Sequence, residues 1–164
     1  MDVCMHYVGV YPPTVKIYDT NELTLKCERG LDAEVVKMLN LSNDYRKIVF
    51  LLNDRNIEFH AQYGRHFKLR IPHFAHDFAF NYNNADLLIG AASSQLYRLN
   101  LESAQFLTPF DTNLDFVNVV RYSHQLNLAA IGGNDGIVDF WDLRNRKSAV
   151  IIPPKNHPAF QNFP

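Results

Sequence analysis

Leu126-Asn-Leu-Ala-Ala-Ile-Gly-Gly-Asn-Asp-Gly-Ile-Val-Asp-Phe-Trp-Asp-Leu-Arg144 is the stretch that decides the fold. Its apolar residues recur at every second position, the period of a half-buried strand and not of a helix. Asp135-Gly136 breaks it in two, and glycine there accepts the positive φ of a tight hairpin at little cost. Small residues Ala129, Ala130, Gly132 and Gly133 suit an inner strand crowded on both faces. Trp141-Asp142 closes the second strand.

The same ending recurs along the chain as Val15-Lys-Ile-Tyr-Asp19, Ile57-Glu-Phe-His-Ala61, Leu96-Tyr-Arg-Leu-Asn100 and Val138-Asp-Phe-Trp-Asp142. The last residues are 42, 39 and 42 apart, a mean of 41. The turn before each strand keeps the same register: Pro12-Pro13, Asp54-Arg55, Ser93-Ser94 and Asp135-Gly136. An earlier turn recurs at Asn43-Asp44, Asn83-Asn84 and near Gln125. Each unit reads as four strands, placed in the second at about 34–39, 47–52, 56–61 and 66–71. The one helical candidate, Leu31–Leu41, is assigned to a strand by the repeat. Four strands per period of about 40–45 mark a WD-type β-propeller blade.

The expected fold is therefore all-β, an incomplete WD-repeat β-propeller of about three and three-quarter blades in an open arc. The blades fall at about 6–29, 33–71, 75–110 and 115–152, making residues 1–152 a partial propeller and 153–164 a non-repeat Pro-rich tail. Asp19, Asp54, Asp135, Gly136, Trp141 and Asp142 define the repeat. No unit has the Gly-His dipeptide usual before a first strand, so Trp141 must pack or find another acceptor for its N–H.

Composition narrows the function. Of 164 residues, 47% are apolar, enough for a core, and sixteen Lys and Arg against seventeen Asp and Glu leave no global basic field. Two cysteines, Cys4 and Cys27, make neither a disulfide framework nor a metal cluster. No signal peptide and no apolar run of membrane-span length occur.

Long strings of the chain resemble the nucleolar protein 10 family of ribosome-biogenesis factors. They include Leu41-Ser-Asn-Asp-Tyr-Arg-Lys-Ile-Val-Phe50, Asn53-Asp-Arg-Asn-Ile-Glu-Phe-His60, Lys68-Leu-Arg-Ile-Pro72 and Gly90-Ala-Ala-Ser-Ser-Gln-Leu-Tyr-Arg-Leu-Asn-Leu-Glu102. The resemblance covers about residues 7–149. It implies a non-enzymatic nucleolar scaffold for protein–protein interaction in ribosome biogenesis. Its partners would be other proteins of the small-subunit precursor particle and the pre-rRNA undergoing processing. It also implies a truncated form, since the chain starts at a blade's second strand, has no basic targeting run, and ends in a tail resembling neither a blade nor the family. Exposed end blades would then invite pairing with another chain.

Two basic groups are the candidate RNA or partner contacts. Strand alternation puts His66, Lys68 and Arg70 on one face, with Phe67, Leu69 and Ile71 opposite and Arg65 apart from the stripe. Such a face binds phosphates, or serves as the solvated side of an outermost strand. The second group is Arg144, Arg146 and Lys147. Trp141-Asp-Leu-Arg144 also matches the motif of WD-repeat substrate receptors of cullin-RING ubiquitin ligases, the alternative function. His73-Phe-Ala-His76-Asp77 is the densest histidine cluster, but lacks the paired ligand spacing of zinc sites. No catalytic, cofactor-binding or metal-ligating set emerges, and no membrane or small-molecule substrate is expected.

Overall fold

The computed structural model of the protein describes residues 3–8, 13–19, 21–42 and 46–154. The expected turns at Pro12 and at Asn43-Asp44, and the tail from Lys155, lie outside the described residues. The described chain holds fifteen strands in four antiparallel sheets. The first sheet is β1 (Val3–Val8), β2 (Thr14–Asp19) and β3 (Leu25–Gly30). The second is β4 (Val35–Asn40), β5 (Ile48–Leu52), β6 (Asn56–Ala61) and β7 (Gly64–Arg70). The third is β8 (Ala75–Asn81), β9 (Asp86–Ala91), β10 (Gln95–Asn100) and β11 (Gln105–Asp111). The fourth is β12 (Val119–Ser123), β13 (Leu128–Gly132), β14 (Val138–Asp142) and β15 (Lys147–Ile152). Strands pair in chain order within each sheet, the meander of a propeller blade. The first sheet has three strands, aligned with the last three of the others. The expected all-β repeat, with the Leu31–Leu41 segment as a strand, is what folds.

The second strands β5 and β9 are buried on both faces, as their apolar runs require, whereas β13 alternates buried and half-buried residues. The sheets divide into two compact units, residues 1–72 and 73–164. In the first, Val15 and Ile17 of β2 join Leu31, Ile48, Phe50 and Leu52 in one core, with Cys27 packed at its side. In the second, Leu88, Leu96 and Phe110 pack with Val117, Val120, Ala129, Ile131 and Trp141. The crowding anticipated along β13 is met just past its end, where a methyl on Gly133 would lie 2.8 Å from Asp135 Oδ1 and 3.0 Å from the Phe116 carbonyl oxygen. A methyl on Gly132 would make only an ordinary contact with Val119 Cβ at 3.9 Å, whereas one on Gly90 of β9 would lie 2.6 Å from the Val117 carbonyl oxygen. Gly90 is where the 114–120 segment presses onto β9.

Turns repeat with the sheets. Asp54, Ser93 and Asp135 each accept the backbone N–H two residues on, fixing the hairpin before the third strand. Gly136 takes φ +76°, and Arg55 holds the matching position at +66°. The last strand of each sheet carries a bulge or irregularity against the strand before it, opposite that strand's end in the first, second and fourth sheets and nearer its start, between Leu96 and Arg98, in the third sheet. In β7 it re-aims Arg65 and His66.

Candidate RNA and partner interface

Trp141 finds its acceptor two residues away. Its Nε1–H donates to Asp139 Oδ2 at 2.8 Å, and the Ser148 hydroxyl of β15 donates to the other oxygen of that fully buried carboxylate. One strand face carries both residues because i and i+2 point the same way. The equivalent positions of the second sheet hold Glu58 and His60, again 2.9 Å apart and buried, with the His60 ring edge-on to Phe50. The second and fourth sheets thus close a carboxylate–ring pair on the third strand without a Gly-His dipeptide. Burial, only partly offset by Glu58, holds the His60 imidazole below its ordinary range.

The bulge in β7 corrects the expected basic stripe. Phe59 pairs with Phe67, but His60 pairs with Arg65, so His66 is the extra residue. Arg65 therefore joins the Lys68 face, and His66 turns against Phe59 and Phe67. Arg65 and Lys68 both reach Asp32 Oδ2 at 2.7 Å and Glu58 Oε1 at 3.2 and 3.4 Å. Those two cations are thus spent on neutralising a buried carboxylate, and they hold the Asp32 carboxyl below the usual range, Lys68 first. Arg70 stays exposed at the strand end.

The second basic group has a different setting. Asp142 Oδ1 accepts from the backbone N–H of Arg144 at 2.9 Å and of Asn145 at 3.3 Å, and its Oδ2 accepts from the Asn145 amide at 2.7 Å. These bonds, led by Asn145, keep its carboxyl below the ordinary value. Asp19 and Asn100 cap the matching turns in the same way. Arg146 sits at φ +53°, the conformation also held by Leu23 and Ala104 at the same offset. Arg144, Arg146 and Lys147 are exposed on this rigid turn, and among the described residues none makes an ion pair. His73, from the histidine-rich loop, stacks on Tyr97 instead. Asp77 accepts from the backbone N–H of Phe78 and Val120 and from Arg121.

An aromatic group at the tips of the β8–β9 and β12–β13 hairpins escaped the sequence reading. Tyr82 and His124 lie with ring centres 4.6 Å apart, His124 is 4.8 Å from Tyr122, and Phe80 sits edge-on beneath Tyr82 at 4.5 Å. The Tyr122 hydroxyl donates to the buried Asn127 Oδ1 at 2.6 Å and accepts from Asn83 at 3.2 Å. Burial pushes that hydroxyl up, so it stays a donor. The signal was present: Phe80 and Tyr82 recur as Tyr122 and His124 one repeat of 42 later.

Comparison with known proteins bears on the whole chain. Residues 3–159 match the β-propeller family described as nucleolar protein 10-like, N-terminal domain. That match runs past Ile152, so part of the Pro-rich segment expected to lie outside the family falls within it. Over 144 residues the chain is 49% identical to nucleolar protein 10 of Xenopus tropicalis, and 49% to that of Homo sapiens, covering 88% of this chain. It is 43% identical over 149 residues to ribosome biogenesis protein ENP2 of Saccharomyces cerevisiae, covering 91% of this chain. The chain spans about a fifth (21%) of the length of each of these relatives. On its sheet repeat and this match across nearly its full length, the chain belongs to the nucleolar protein 10-like N-terminal β-propeller family.

Proposed function

We propose that the chain acts as a rigid, non-enzymatic scaffold in nucleolar ribosome biogenesis, holding proteins of the small-subunit precursor particle and contacting pre-rRNA. The family match over residues 3–159, with relatives named as nucleolar and ribosome-biogenesis proteins, is the observation that carries this reading. The mechanism is presentation: sheets pinned by buried carboxylate pairs hold short turns in fixed positions, and the turns meet the partners. Of the two basic groups, Arg144, Arg146 and Lys147 fit an RNA contact best, because Arg65 and Lys68 already face Glu58 and Asp32. Phosphates would pair with the exposed cations and position the strand without reading its sequence.

Gradient sedimentation of the tagged full chain from nucleolar extract tests the proposal. Cosedimentation with large pre-ribosomal particles is expected. Recovery only in light fractions with a ubiquitin-ligase adaptor, lost on Arg144→Ala, would replace it with the substrate-receptor reading.

A further inference from the structure

We infer that the Tyr82–His124–Tyr122 cluster is a base-stacking platform for single-stranded RNA, working with the cationic turn at Arg144–Lys147. The inference deepens the proposed RNA contact and rests on it, since the turn supplies the phosphate binding. Tyr82 is 54% exposed although Phe80 and His124 are against it, and His124 is exposed as well. Large rings held in solvent by a hydrogen-bonded support are what a stacking surface needs: area to offer and little side-chain entropy to lose. The support is specific, because the Tyr122 hydroxyl ties the two hairpin tips together through Asn83 and Asn127.

Register places the cations at the same end of the fourth sheet. Ser123 pairs with Leu128, Leu128 with Asp142, and Asp142 with Lys147, so one row of residues crosses from the aromatic hairpin to the basic turn. Three strand spacings of about 4.8 Å put that crossing near 14 Å, within the span of a short oligonucleotide. Exposed Asn83, Asn84 and Asn145 flank the path with amide groups suited to base edges. Stacking tolerates any base, so the platform serves single-stranded RNA without strong sequence preference. A duplex, whose bases are stacked on one another, would gain only the phosphate contacts.

The test is fluorescence anisotropy of a labelled twelve-nucleotide oligouridine with the full 164-residue chain. Tyr82→Ala with His124→Ala should weaken binding by about tenfold, the loss of one or two stacked bases. Tyr82→Phe should restore it, and an oligomer of the same length lacking bases should bind the wild type and the double variant alike. Arg144→Glu with Arg146→Glu should weaken both oligomers. If the ring variants bind oligouridine as the wild type does while the charge variants lose it, the platform is overturned and the cationic contact stands. If neither pair matters, the RNA contact itself fails. Loss of particle association by the ring variants, with oligouridine binding intact, assigns the cluster to a protein and overturns the platform. Trp141 fluorescence verifies that each variant is folded.

Discussion

At Asp139 a fully buried carboxylate is kept by two donors, the Trp141 indole and the Ser148 hydroxyl. Leaving a buried charge short of a donor costs more than the hydrogen bond alone, because water cannot replace it. Ser148→Ala should therefore lower stability by about 1–3 kcal/mol, read in urea denaturation by the fluorescence of Trp141, the only tryptophan. Gly90 sits at the opposite extreme, constrained by absence of a side chain. A methyl there would also lie 2.8 Å from Val120 Cγ2, and the backbone carbonyl of Val117 cannot rotate away. Gly90→Ala should cost about 1–3 kcal/mol or more by overpacking, whereas Gly132→Ala, with its nearest neighbour at 3.9 Å, should be far milder in the same assay.

Single strands make the next decisions. The third strand of the second sheet buries Glu58 and His60 side by side, with Arg65 and Lys68 closing over them from β7. His60 binds its proton less readily in the folded chain than the ordinary value of about 6.5. The unfolded chain thus binds more protons as the pH drops through that value, and stability falls with it. The loss begins below about pH 6.5 and stops growing once the folded ring is itself protonated. Glu58 favours the charged ring while Arg29 and Arg65 oppose it, so burial sets the sign. Denaturation midpoints taken from pH 7.5 to 5 should decline more steeply for the wild type than for His60→Phe. Equal slopes would show that His60 is not the titrating group. The bulge opposite this strand end also explains a misreading: simple alternation along Arg65–Arg70 places Arg65 and His66 on each other's faces. Alternation holds only while the ladder is regular, and one extra residue inverts it.

Across the whole molecule the net charge is −1, so no overall field draws a polyanion in. RNA binding then depends on a local set of cations, and its salt dependence counts them. Three phosphate contacts on a single strand predict a slope of log K against log salt of about −2. Anisotropy titrations between low and physiological salt measure it, and Arg144→Glu with Arg146→Glu should flatten the line. A slope twice as steep would require the other basic group, Arg65–Arg70, to take part, against the pairing of Arg65 and Lys68 with Asp32 and Glu58.

The division between what was legible and what was not follows from the range of the interactions. The all-β class, the repeat near 41 and the hairpin at Asp135-Gly136 were readable because period-two burial and turn stereochemistry act between near neighbours in the chain. Family membership was readable for the same reason, in long contiguous strings. The acceptor for Trp141 is itself two residues away, yet its identity required knowing that Asp139 is buried and that Ser148 crosses from β15. The fate of Arg65 needed the bulge, and the pairing of Lys68 with Asp32 spans 36 residues. Tyr82 and His124, one repeat apart in sequence, become a platform only where two hairpin tips meet. By itself the sequence determined the periodic backbone. Which charges are neutralised and which rings face solvent was decided by tertiary packing, because a buried charge must be met by whatever group the fold brings within reach.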